Sequence, residues 1–289
     1  MSDIETLTHQ LREEARRLLS EKRVDCVMGY EVGPRGRIRP AFLYDPAEAD
    51  HLVWGPGCVH NLVTYLHNKK KPRRRGEEPP RVAVVVKPCD SRALNILFAE
   101  RQVERERVFV IGMVCEGVVG PDGRPAAKCG RCTDRTPVVY DVLLGNPPSV
   151  EPAPDDWSDL ARIEAMTSAE RLAFWLRQFD RCIRCYACRQ VCPGCYCPTC
   201  AFERDDSLWV DMGIEVPQKY VFHLGRAFHL AGRCVECDEC ERVCPMGLPL
   251  SLLNRCLVRE IEALYGHRAG RQEALTPMLF ELGPEGSPI

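Results

Sequence analysis

The chain has 289 residues, of which 18 are cysteine. A hydrophobic share of 45%, a charged share of 28% and a net charge of −2 describe an ordinary folded protein, without the overall field that draws in nucleic acid or an anionic membrane. The longest apolar stretches, Val82–Val86 and Val108–Cys115, fall far short of the roughly 20 residues of a membrane span.

The start, Met-Ser-Asp-Ile-Glu, has neither the basic residues nor the apolar core of a secretory signal, so a cytoplasmic setting is expected. Ile4, Leu7, Leu11, Ala15, Leu18 and Leu19 recur at helical period and predict an amphipathic first helix. Val24–Gly29 reads as a short strand ending at glycine, and Asn61–His67 as a helix. The basic run Lys69–Gly76 contains Pro72 and Gly76 and reads as a solvated loop. Val82–Val86 is a continuous apolar run of the buried parallel kind. It ends at Asp90-Ser91, caps for a helix over Arg92–Glu100, and Val108–Ile111 is the next strand. Strand, helix and strand within about 30 residues make a βαβ unit, predicting an α/β domain with a parallel sheet.

Gly145–Asp159 is rich in proline and reads as a linker. Thr167 and Glu170 form a capping box opening a helix, with Leu172, Trp175, Leu176 and Phe179 on its buried face. Further helices are expected over Tyr220–Ala231 and Leu248–Tyr265. The expected organisation is an α/β domain over 1–146, a linker over 147–160 and an all-helical domain over 161–289.

The cysteines carry the chemistry. Cys182-Ile-Arg-Cys185-Tyr-Ala-Cys188-Arg-Gln-Val-Cys192-Pro193 is repeated 52 residues on as Cys234-Val-Glu-Cys237-Asp-Glu-Cys240-Glu-Arg-Val-Cys244-Pro245. This is the bacterial ferredoxin spacing, in which three close thiolates hold one cluster and the fourth, before proline, reaches to the other. The expected ligand sets are therefore Cys182, Cys185, Cys188 and Cys244 for one [4Fe–4S] cluster, and Cys234, Cys237, Cys240 and Cys192 for a second. A structural zinc site would use two pairs with a long gap instead. The long, helix-patterned stretch between the motifs predicts an all-helical dicluster ferredoxin domain.

Ten cysteines remain. Cys89 and Cys115 follow two adjacent predicted parallel strands, at the edge where open α/β sheets gather ligands. With Cys129 and Cys132 they could complete a third [4Fe–4S] site; otherwise Cys89 and Cys115 are small buried hydrophobes. Cys195, Cys197 and Cys200 could contribute to a fourth metal centre with Cys26 or Cys58, form a zinc knot, or crowd the first cluster as S–H donors. Cys26, Cys58 and Cys256 stand alone and suit core packing. There is no metal-binding histidine pair, no dinucleotide glycine fingerprint and no Walker loop. The turn Trp54-Gly-Pro-Gly-Cys58 exposes backbone that could approach a flavin phosphate.

Val85-Val-Lys-Pro88-Cys89-Asp-Ser-Arg-Ala-Leu94, Ile111–Cys115, Lys128-Cys129-Gly-Arg-Cys132-Thr-Asp134 and Asp141-Val-Leu-Leu-Gly145 resemble the coenzyme F420 hydrogenase/dehydrogenase beta-subunit family over residues 20–146. The resemblance implies an electron-transfer subunit of an anaerobic hydrogenase or formate dehydrogenase, commonly carrying flavin (FAD or FMN). It also implies Cys89, Cys115, Cys129 and Cys132 as cluster ligands. Family members usually carry their ferredoxin motif at the amino terminus, whereas here it follows. The carboxyl-terminal half is similar to the helical dicluster modules of heterodisulfide-reductase-like complexes.

The leading expectation is an electron relay within a multi-subunit redox complex, its partners being other subunits and a soluble carrier, with no nucleic acid and no membrane span. The alternative is a flavin-bearing subunit exchanging hydride with NAD(P)H or coenzyme F420. A cluster-switched regulator finds no DNA-binding motif to support it.

Overall fold

The computed structural model describes residues 4–69, 78–120, 122–150, 152–204, 206 and 211–271. The basic run beyond Lys69 lies outside them. Two compact units emerge: one runs to Asp155 and takes back Gly270, and the other is Asp156–Ala269.

The first unit opens with α1 (Ile4–Ser20), which buries Leu7, Leu11, Ala15, Leu18 and Leu19, the apolar stripe that predicts it. Five strands follow: β1 (Cys26–Val32), β2 (Ile38–Leu43), β3 (Val82–Val86), β4 (Val108–Met113) and β5 (Val142–Leu144). They lie in the order β2-β1-β3-β4-β5. β1, β3, β4 and β5 are parallel, with Cys26 opposite Val82, Val82 opposite Val108 and Ile111 opposite Val142. β2 runs antiparallel to β1, Val27 opposite Leu43, so the sheet is mixed rather than wholly parallel.

Two local features hide this from sequence reading. β1 continues through Gly29, where a Cβ would strike the Leu52 side chain; the glycine marks a close approach, not a strand end. Pro40 interrupts the pattern of β2 and is tolerated because that strand is at the edge. β5, only three residues long, also escapes a periodicity argument.

Between β3 and β4 lies α2 (Pro88–Ala99), which begins a turn earlier than Asp90-Ser91 suggest. Pro88 occupies its first turn, where the missing N–H costs nothing, and the Asp90 carboxylate accepts from the Lys87 backbone N–H. Cys89 therefore sits inside the helix's first turn. The expected Asn61–His67 helix is a 3-10 stretch, Leu62–Tyr65, running into a short α-helical turn, with Asn61 as its cap.

Among its described residues the second unit has helices and no strand. α3 (Ser168–Asp180) starts at the Thr167–Glu170 capping box and buries Trp175 and Phe179. Leu172, expected inside, is 48% exposed, and Phe174 packs against the core instead. α4 (Val216–His229) lies against α3, Phe179 stacking on His223 with centroids 4.6 Å apart and planes at 12°. α5 (Leu250–Tyr265) closes at Gly266, whose φ of 59° is a left-handed cap. No described helix is long and apolar enough to cross a membrane.

Candidate metal centres

The two repeated cysteine motifs fold alike. In each, a single helical turn carries the third cysteine: Ala187–Gln190 holds Cys188 and Glu239–Arg242 holds Cys240. In each, the second and fourth residues after the first cysteine are left-handed: Arg184 and Tyr186 at φ 50° and 57°, Glu236 and Asp238 at φ 59° and 52°. Four non-glycine residues in this costly region mean that surrounding contacts impose it twice. Backbone N–H groups curled this way form concavities that suit an anion or an iron–sulfur group. The Arg184 N–H points at Cys182 Sγ (3.3 Å), and the Glu236 N–H serves Cys234 in the same way.

Opposite chemistries clamp the two loops. Arg184 is 5% exposed and donates to the carbonyls of Phe202, Asp211 and Gly213 at 2.8–2.9 Å. Glu236 accepts from Arg255 and Arg268, which also lie over the Trp157 ring at 4.6 and 4.7 Å.

The thiols fall into groups. Cys188 lies within electrostatic reach of Cys182, Cys244 and Cys185, and Cys182 likewise of Cys185 and Cys244. Cys192, Cys234, Cys237 and Cys240 line one cavity. Each repeat's last cysteine is thus beside the other repeat's first three. Burial raises the thiol pKa values of Cys182, Cys234 and Cys240, and that of Cys188 to about 11. Cys192 is the exception, its pKa lowered by a hydrogen bond from Cys195 and by the nearby Arg226 guanidinium. Leu248 N–H donates to Cys244 Sγ (3.4 Å), and Asn254 Nδ2 reaches Cys240 Sγ (3.7 Å).

The remaining three thiols of this region part company. Cys195 meets Cys192, Cys197 is exposed, and Cys200 packs against the core formed by Cys182, Cys188, Phe202 and Phe222. Cys256 is partly buried on α5.

In the first unit, Cys89 and Cys115 follow the carboxyl ends of the neighbouring strands β3 and β4. Cys129 lies on the turn Ala127–Gly130, with Cys132 just beyond it. Cys115 and Cys132 are each within reach of Cys129. Val118 N–H points at Cys129 Sγ (3.3 Å), and Cys132 Sγ donates to the Asp134 carbonyl (3.0 Å). Cys89 joins this neighbourhood through Lys87, which faces both Cys89 and Cys115.

Lys87 is 1% exposed; its Nζ pairs with Asp90 at 2.7 Å and donates to Tyr30 Oη (2.5 Å) and the His60 carbonyl (2.7 Å). Burial opposes its charge, but Asp90 and Cys89 outweigh that and raise its pKa. Cys58 is also near Cys115 and is buried, its pKa raised to about 11 by desolvation. Cys26 is buried in β1. No three His, Cys, Asp or Glu side chains among the described residues converge as a single bound ion requires.

No family model matches the chain. It is 33% identical to the F420-dependent formate dehydrogenase subunit beta of Methanocaldococcus jannaschii, with 90% of this chain and 91% of that protein covered. The chain belongs to this beta-subunit family. The F420-dependent formate dehydrogenase 1 subunit beta of Methanococcus maripaludis is 24% identical over 69% of this chain and 75% of its own. Coverage of 90% carries the likeness well past residue 146, where the sequence motifs alone would end it.

Sequence reading missed the buried polar residues of these sites. Lys219, His223 and Arg226 recur at i, i+4 and i+7 on the buried face of α4, which amphipathic reasoning would assign to apolar residues. Lys87, at the end of an apolar strand, gives the same kind of signal.

Proposed function

We propose that this chain is the electron-transfer subunit of a multi-subunit redox complex of the formate dehydrogenase kind, relaying single electrons through [4Fe–4S] clusters. One observation carries the reading: two matched thiol sets, each completed by the last cysteine of the other repeat. Cys182, Cys185, Cys188 and Cys244 would hold one cluster; Cys234, Cys237, Cys240 and Cys192 would hold the second. The donor set fits, being four sulfurs and curled N–H groups. When bound, such clusters take up and pass on one electron at a time.

The chain's own residues supply the setting. The helical unit, read as a dicluster ferredoxin domain, buries Cys182, Cys188 and Cys240, leaves Cys185 exposed, and holds its loops with Arg184 and Arg255. Cys89, Cys115, Cys129 and Cys132 would hold a third cluster beside the Lys87 cation. Cys195, Cys197 and Cys200 would add a fourth metal centre only with a further ligand; Cys195 otherwise supports Cys192 as a donor. The partners would be the other subunits and a soluble electron carrier, in the cytoplasm.

Anaerobic reconstitution with iron and sulfide tests this. About eight irons are expected from the two repeats and about twelve with the third site. Cys129→Ser should remove about four of them. Zinc in place of iron, with no reducible paramagnetic signal, would overturn the reading.

A second reading adds a flavin. Trp54, Gly55, Pro56, Cys115, Gly117 and Gly145 line a cleft at the carboxyl edge of the sheet, next to the third thiol group, and the relatives are named as F420-dependent. A flavin there would turn hydride from F420 or NAD(P)H into single electrons. Acid denaturation of the purified protein should then release FAD or FMN, and its absence would remove this reading.

A further inference from the structure

Arg226 stands between the two thiol groups of the helical unit. It is 5% exposed on the inner face of α4. Its Nη2 donates to the Cys188 carbonyl at 3.0 Å, on the side of the first set. The same side chain reaches the Cys192 and Cys195 thiols and lines the cavity of the second set. Nε has no hydrogen-bond partner among the described residues, and no carboxylate among them pairs with the guanidinium. Among the other buried arginines of this unit, Arg189 meets Glu203 and Arg255 meets Asp159 and Glu236, while Arg184 is held by three backbone carbonyls.

A guanidinium sealed from water with a single carbonyl acceptor is stabilised by negative charge close by, because desolvation of an unpaired ion is costly. The acidic groups facing Arg226 are the thiols Cys192, Cys240, Cys195 and Cys188, drawn from both sets. Lys219, two turns earlier on the same helix face, has a different reach: it donates to the Asp180 carbonyl (2.8 Å) and faces Cys182 of the first set.

We propose that Arg226 is a positioning residue shared by both cluster sites, a fixed counter-charge that raises the reduction potential of each. The inference rests on the reading that these eight thiols hold two [4Fe–4S] clusters. Four thiolates give each centre net negative charge, and reduction by one electron adds one more. A fixed cation in a low-dielectric interior favours the reduced form, without titrating and without any bond being made or broken. The long insertion between the repeats thereby acquires a role, since α4 within it carries one charge to two places.

The test is an EPR-monitored redox titration of the full chain, reconstituted anaerobically, with Cys185→Ser assigning the signals. Arg226→Gln should retain the wild-type iron content while both reduction equilibria fall at least tenfold, about 59 mV for a one-electron couple. Arg226→Lys, which keeps the charge, should stay close to wild type at both centres. Lys219→Gln should move only the first. Full iron with unmoved potentials in Arg226→Gln, or a shift at one centre alone, overturns the proposal. If Arg226→Gln loses iron, Arg226→Lys decides: wild-type potentials support the proposal, and a tenfold fall overturns it. Wild-type protein without two reducible clusters would refute the cluster reading itself, a result distinct from either outcome for Arg226.

Discussion

Charged residues that hydropathy would place in water are held inside by specific partners. Lys87 and Asp90 are 1% and 0% exposed and pair at 2.7 Å beneath the thiols of the α/β unit. Removing one member of such a pair leaves the other charged and unsolvated, a loss of about 3–5 kcal/mol. Asp90→Ala should therefore destabilise the metal-free chain by that order in urea unfolding, and Lys87→Met combined with Asp90→Leu should recover much of it. An unchanged midpoint in Asp90→Ala would mean that the pair contributes nothing. Cys129 and Cys132 could be picked from sequence because their spacing is local. The Lys87 network could not, because Tyr30 and His60 reach it from distant parts of the chain.

At the scale of elements, α3 and α4 meet through Phe179 and His223. Burial, with Arg226 and Arg184 nearby, depresses the His223 pKa to about 3, from an ordinary 6.5. The unfolded chain therefore binds this proton more readily than the folded one. The stabilisation is complete above the unfolded value and is lost as pH falls from about 6.5 towards 3. Stability measured across that window should decline with acid, and His223→Phe, which keeps the stacking surface, should flatten the decline. An identical slope in the variant would rule His223 out as its source. The helix itself was foreseeable near Tyr220–Ala231, and its buried face carries Phe222 and Ala227 beside polar residues. That Lys219, His223 and Arg226 share that face only becomes meaningful once the thiols lie against it.

For the molecule as a whole, the chain returns at Gly270 and Arg271 to the unit where it began. Gly270 has φ 73°, its carbonyl accepts from Asn95 Nδ2 at 3.1 Å, and a Cβ there would run into the Arg92 backbone. Arg271 adds an ion pair with Asp134 at 3.2 Å. Gly270→Ala should thus destabilise the first unit by about 1–3 kcal/mol. Hydrogen exchange should quicken in β3 and β4 and stay unchanged in α4; equal quickening in both units would contradict this assignment.

What the sequence alone determined is local. The cysteine repeats, the capping box at Thr167, the apolar runs of β3 and β4 and the stripe of α1 all lie within a few residues of covalent chain, where spacing dictates geometry. The family likeness was likewise readable in short motifs around Cys89, Cys115 and Cys129. Tertiary structure alone decided the antiparallel edge strand, the turn-early start of α2 and the placing of Lys87 and Arg226. Each depends on groups far apart in the chain meeting in a dry interior, where a buried charge or a missing Cβ matters only for what lies opposite.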